Sequence, residues 1–205
     1  MDDPHRIVER GYDAIAERYA EVLAANRGPH TYFRAFLDRV LARVPEGGRV
    51  LDLGCGAGLV AAEFLGRGRV VALDRSAAQL GLARSNAPGA LLIRADIAEV
   101  AFAPASFDVV VAFWSLIHVR RDRHASVFAA IRRWLRPGGL LAGTMGGGDN
   151  PDERESAFFG APMAWSHFDA ETNRGLLRSA GFVLEQADEI SDEGETPLWV
   201  LARAP

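Results

Sequence analysis

The chain has 205 residues, 49% of them hydrophobic, with a net charge of −4 and one cysteine. That is enough for a single α/β domain with a buried core and rules against a disordered chain, while the acidic balance (pI about 5.7) argues against a dedicated nucleic-acid binder. No apolar run has the length of a membrane span, one cysteine makes neither a disulfide nor a cysteine-rich zinc site, and the polar start MDDPHRIVER reads as no signal peptide, so a cytoplasmic protein without bound metal is expected.

A first helix is expected from Asp3 to Ala25, with Asp3-Pro4 as cap and first turn and Ile7, Val8, Ile15, Tyr19, Val22 and Leu23 at helical spacing. Asn26-Arg27-Gly28-Pro29 stops it. A second runs from about Tyr32 to Arg43, with Phe33, Phe36, Leu37, Val40 and Leu41 on one side. The stretch RVLDLGCGAGL, Arg49–Leu59, then organises the chain. A short apolar strand carrying Asp52 breaks into Gly54-Cys55-Gly56-Ala57-Gly58, and a helix follows. Glycines there permit unusual backbone angles and close approach to a ligand. The helix start offers free N–H groups to a negatively charged one. The third glycine comes one residue too early for the dinucleotide pattern. A carboxylate at Asp52 would repel a pyrophosphate and suits a positive amino or sulfonium group.

A second apolar strand, Arg69–Leu73, ends at Asp74, twenty residues beyond Gly54 and placed to accept from a ribose diol. Ser76 can cap the helix Ser76–Ser85. A third strand, Ala90–Arg94, leads to Asp96 and Ile97. The run Phe107–Phe113 suits a central parallel strand covered on both faces. Ligands in open α/β sheets lie beyond the carboxyl ends of the strands, so Phe113, Trp114, Ser115 and His118 sit where two ligands would meet. His118 is a candidate base; Trp114 reads as a pocket wall. Arg121–Leu135 is an amphipathic helix, with Val127, Phe128, Ile131 and Trp134 facing the sheet. From Met145 the composition changes to a glycine-rich, then charged, then aromatic insertion ending at Phe168. It is expected as a loop forming a lid or substrate wall, with Met163, Trp165 and His167 lining an acceptor site. Alternatively Trp165 and Phe168 plug the sheet edge and His167 caps the next helix. That helix, Asp169–Ala180, ends at Gly181, and Phe182–Ile190 and Pro197–Ala204 are strands joined by the acidic turn Ser191–Glu195.

The segments VLDLGCGAG, Asp74-Arg75-Ser76, FDVVVAFWSLIHV and LRPGG together resemble the class I S-adenosylmethionine-dependent methyltransferases, over roughly Tyr12 to the C-terminus. The resemblance implies an α/β fold: a Rossmann-like three-layer sandwich with a seven-stranded, mostly parallel sheet in the order 3-2-1-4-5-7-6, the last strand antiparallel. It implies one domain, 1–205, with residues 1–45 as a helical cap over the cofactor and 145–168 as the lid. It implies S-adenosyl-L-methionine as cofactor and S-adenosyl-L-homocysteine as product. The cofactor would be held by Tyr19, Asp52, Gly54, Cys55, Gly56, Asp74, Arg75, Gln79, Asp96, Ile97 and Phe113, with Tyr12 near Tyr19. Gln79 stands where the family has methionine; Asp96 would approach the adenine amino group and Ile97 pack on the ring. Trp114, Met163 and Trp165 would bind the acceptor, and His118 or His167 would act if it had to lose a proton. The expected function is in-line methyl transfer to the oxygen or nitrogen of a small molecule by a monomer or homodimer, without nucleic-acid or membrane partners. A non-catalytic or repurposed cofactor-binding protein is the alternative. A nicotinamide oxidoreductase fits less well, because of Asp52, the early glycine and the lack of an evident Tyr-x-x-x-Lys pair.

Overall fold

A computed structural model of the chain describes residues 3–26, 31–192 and 194–205. The expected helix stop at Arg27–Pro29, and Glu193 of the acidic turn, lie outside them. In chain order the helices are α1 (Pro4–Asn26), α2 (Tyr32–Leu41), α3 (Leu59–Phe64), α4 (Ala77–Asn86), α5 (His124–Trp134) and α6 (Ala170–Ser179). The strands are β1 (Gly48–Leu53), β2 (Gly68–Asp74), β3 (Leu91–Arg94), β4 (Phe107–Ala112), β5 (Leu135–Met145), β6 (Asn150–Phe158), β7 (Ala161–His167), β8 (Val183–Glu189) and β9 (Leu198–Arg203).

Seven strands form one sheet in the order β3-β2-β1-β4-β5-β9-β8, parallel from β3 to β5, with β9 antiparallel to both its neighbours. This is the expected seven-strand order; the last two strands carry higher numbers because two further strands precede them. Side chains of a strand alternate between faces, and β4 shows the result. Val109 and Val111 join Phe36, Phe64 and Trp199 on one face, while Val110 and Ala112 join Ile131 and Trp134 on the other. Burial on both faces is why β4 reads as an unbroken apolar run.

The expected helix Arg121–Leu135 begins later: Arg121–Arg123 is a 3-10 turn, and α5 buries Val127, Phe128, Ile131 and Trp134 as anticipated. Gly181 adopts φ +89 after α6. The largest departure lies in 145–168. The segment expected as a loop is a β-hairpin, β6 paired with β7 antiparallel in a two-stranded sheet of its own. His167 does not cap α6; Asp169 does, accepting from the Thr172 N–H at 2.7 Å.

Helix α1 lies between this hairpin and the sheet. On the hairpin side it packs Val8 and Ile15 on Met163, and a Cβ at Gly11 would stand 2.4 Å from the Pro162 carbonyl oxygen. On the other side Asp13 accepts from Ser76 Oγ at 2.6 Å, and Glu9 pairs with Arg94 at 2.7 Å. Helix α2 plays another part. Its Phe33, Phe36, Leu37 and Val40 are buried in the sheet core, and no described residue of α2 lines the cleft under α1. Among the described residues of 1–45, those that line the cleft belong to α1.

Candidate active site

The carboxyl ends of β1, β2 and β4 converge on a cleft holding about 960 Å³ of atom-free space, its open mouth included. Tyr19, Asp52, Gly54, Cys55, Gly56, Asp74, Arg75, Gln79, Asp96, Ile97 and Phe113 all line it. The sequence readings placed Tyr19 there but missed His5, Val8 and Leu23 of the same helix, which also line it; their helical spacing from Tyr12 and Tyr19 was the available signal.

The floor is the turn after β1. Gly54, Gly56 and Gly58 have φ of +75, +52 and +78, a region open to glycine at little cost. A Cβ on Gly54 would also meet Ser115 Cβ at 2.3 Å. Ser115 donates to the Leu53 carbonyl at 2.6 Å, fixing the end of β4 against the end of β1. Asp74 accepts from the Gly56 N–H at 2.8 Å and the Ser76 N–H at 2.9 Å, so its carboxylate shapes the turn as well as facing the cleft. Burial raises its pKa, and these N–H donors work in the opposite direction. Asp52 is 2% exposed beside the same turn. Burial, with the charges of Asp52 and Asp74, pushes the Cys55 thiol up, leaving it a neutral packing group.

Asp96 is more committed than expected. Its Oδ2 meets Arg75 at 2.7 Å and His5 at 3.2 Å, and its Oδ1 accepts from the Ala98 N–H at 2.9 Å. Burial works against its charge, yet the hydrogen bonds from His5 and Ala98 and the Arg75 charge outweigh it and hold the pKa at about 2. Gln79 is 1% exposed, and neither polar atom of its amide has a partner among the described residues. A buried amide with free donor and acceptor edges on a cleft wall matches a ligand with a polar heterocycle. This amide, the glycine turn, buried Asp52 and half-buried Asp74 fit S-adenosylmethionine: a purine edge, a close-lying amino-acid end and a positive centre.

A second cavity of about 1010 Å³, its mouth included, adjoins the first, and the two share Tyr12, Tyr19, Trp114 and His118. His118 Nδ1 donates to the Ala164 carbonyl at 2.8 Å, so in the neutral ring Nε2 accepts from the Tyr12 hydroxyl, also at 2.8 Å. Burial lowers the His118 pKa to about 4 despite the Ala164 bond. Both ring nitrogens of this expected base are thus engaged, one of them by Tyr12. Tyr12 is itself held neutral, first by burial and then by Tyr19, whose ring lies 5.4 Å away. His167 and Trp165 line the second cavity. His167 donates from Nδ1 to the Gly148 carbonyl at 2.9 Å, and Gly146 makes room for the ring: a Cβ there would stand 2.0 Å from Nδ1. Met163 does not line the cavity. It is 0% exposed beneath Val8 and Ile15, because α1 covers that end of the hairpin. The sequence readings missed Glu153, Glu155 and Glu195 on the cavity wall; the period-two spacing of the first pair was the available signal.

A methyltransferase-domain family matches residues 50–139. Malonyl-[acyl-carrier protein] O-methyltransferase of Enterobacter lignolyticus is 36% identical over 72% of this chain and 57% of its own length. Trans-aconitate 2-methyltransferase of an Acidovorax species is 37% identical over 62% of this chain and 50% of its own. The chain thus spans between half and three fifths of the length of these relatives. Among solved structures, the DhpI complex with S-adenosylhomocysteine (SAH) superposes with a TM-score of 0.78 at 21% identity, covering 98% of this chain and 97% of that one. Magnesium protoporphyrin IX methyltransferase of Synechocystis, solved with S-adenosylmethionine, gives 0.71 at 17%, covering 100% and 99%. At these identities the superpositions speak to the fold. Together with the glycine turn, the acids closing β1 and β2 and the sheet order, they lead to one assignment: residues 50–139 carry a methyltransferase domain, and the chain is similar in fold to the S-adenosylmethionine-dependent methyltransferases.

Proposed function

We propose that the protein transfers a methyl group from S-adenosylmethionine to an oxygen or nitrogen of a small molecule. The observation that carries this reading is the pair of adjoining cavities, one fitted to the cofactor, the other walled by aromatic residues, meeting at Tyr12, Tyr19, Trp114 and His118. The name of one relative, trans-aconitate 2-methyltransferase, specifies a small acceptor and supports it. The proposal carries with it a cytoplasmic monomer or homodimer and no nucleic-acid acceptor, in line with the net charge of −4.

When bound, S-adenosylmethionine supplies a methyl group on a positively charged sulfur, already activated for displacement. The chain's part is then to position and to dry the site. Asp52 offers negative charge beside the glycine turn, and Asp74 keeps lone pairs for a diol. Gln79 presents its free amide edge, and Asp96 steadies Arg75 and His5 on the purine side. Tyr12, Tyr19, Phe113 and Trp114 keep water from the meeting point.

The test is calorimetry with SAH on the purified protein, followed by transfer of labelled methyl from the cofactor to a panel of small acceptors. We expect micromolar SAH binding, weakened at least tenfold by Asp74→Asn in a variant that keeps its circular dichroism. Folded protein with no measurable affinity for SAH overturns the reading.

A further inference from the structure

The second cavity has an unusual charge inventory. Glu153, Glu155 and Glu195 line it and no arginine does. The chain's 23 basic residues are all arginine, and they pair widely with acids elsewhere. In the same stretch Arg121 takes Asp149 at 2.8 Å, and Arg154 takes Asp152 at 3.1 Å. Glu153 and Glu155, alternating with that last pair along β6, form no ion pair among the described residues, and neither does Glu195. Two of the three have a neutral donor: Asn150 Nδ2 meets Glu153, and Trp114 Nε1 donates to Glu195 at 3.1 Å. These bonds hold two carboxylates in place without cancelling their charge.

The remaining walls are aromatic. Trp165 lies edge-on to Phe158 with centroids 5.2 Å apart, Phe158 lies 6.0 Å from Tyr19, and Trp114 closes the side toward the cofactor cleft. Ring faces beside unneutralised carboxylates attract cations. A further, independent group points into the same space. Thr144 is 1% exposed and lines the cavity; its hydroxyl accepts the Trp114 N–H at 2.7 Å, and its own proton has no acceptor among the described residues. A hydroxyl in that state keeps its proton available for a polar ligand.

From this juxtaposition we infer that the acceptor cavity recognises a molecule carrying a protonated amine on an apolar or aromatic body. The inference rests on the methyltransferase reading and sharpens its substrate class. It separates this chain from relatives named for malonyl and trans-aconitate acceptors, since an anion of the trans-aconitate kind would meet three carboxylates and no arginine among the described lining residues.

Three probes of one skeleton test it: phenethylamine (cation), 2-phenylethanol (neutral) and 3-phenylpropanoate (anion). Each is titrated calorimetrically into the SAH-loaded protein at low and high salt. The amine is expected to bind at least tenfold more tightly than the anion, with a preference that shrinks as salt screens the carboxylates. The triple variant E153Q/E155Q/E195Q is expected to lose the preference while its SAH affinity stays within twofold. Because all three positions are exposed, its fold is expected to survive, and E155Q alone serves as a second variant expected to lose part of the preference. Equal or tighter binding of the anion, no binding of any probe, or a preference untouched by the triple variant overturns the inference. SAH binding in the same titrations separates this failure from failure of the methyltransferase reading itself.

Discussion

Three helical glycines offer a direct test of how α1 is seated. Glycine inside a helix costs about 1 kcal/mol relative to alanine. Gly81 in α4 and Gly175 in α6 have nothing within 4 Å of an added Cβ, so Gly81→Ala and Gly175→Ala are expected to stabilise the fold. The gain is about 0.5–1 kcal/mol each, or roughly 1–4 °C in Tm for a domain of this size. Gly11 sits in the middle of α1, yet the same methyl would stand 2.4 Å from Pro162 O and 3.0 Å from Met163 Cε. One neighbour is backbone and cannot swing away. An overpacking penalty of about 1–3 kcal/mol outweighs the propensity gain, so Gly11→Ala is expected to lower stability by up to about 2 kcal/mol. Because α1 carries Tyr12 and Tyr19 over both cavities, SAH affinity falls with it. Thermal melts and SAH calorimetry on the three variants decide the matter. If Gly11→Ala melts higher, like the other two, and binds SAH unchanged, α1 is not seated against Pro162 and the description of the cover is wrong.

Gln79→Met removes a buried amide with two free edges and is expected to raise Tm, by the equivalent of about 1–3 kcal/mol, while weakening SAH binding; a variant that gains neither stability nor a binding defect refutes the role given to that amide. His118 is held neutral in the fold, with its pKa lowered from 6.5 to about 4, so its contribution to stability is complete above pH 6.5 and is lost as pH falls toward 4. Denaturant titrations between pH 7 and 4 are expected to show a loss of roughly 2–3 kcal/mol from this group, flattened in His118→Asn. His124, also lowered first by burial, leaves a residual slope. Trp165 faces the acceptor cavity, so its fluorescence is expected to change when an acceptor binds; Trp165→Phe is expected to lower turnover several-fold with SAH affinity unchanged, and an equal loss of both would move Trp165 to the cofactor side.

The cofactor side was legible because its determinants are local. A glycine turn, an acid closing each of two strands and an apolar run between them are short-range patterns, and the parallel sheet brings them together at one edge. The acceptor side was not. Strand β6 was read as a charged loop because almost all its residues are exposed, so no apolar face betrays the period of two. Its partner strand, not its composition, makes it a strand. Met163 was placed on the acceptor wall, and it does lie on the hairpin, but the helix that hides it comes some 150 residues earlier in the chain. His118 resembled a free base until Tyr12, 106 residues away, took its second nitrogen.

Strands β6 and β7 form a two-stranded sheet of their own, outside the seven-strand ladder. On the proposed reading, the hairpin's share of the acceptor wall is a graft: lengthening, recharging or replacing it leaves the register of the seven-strand sheet, and with it the cleft at its carboxyl edge, as it is.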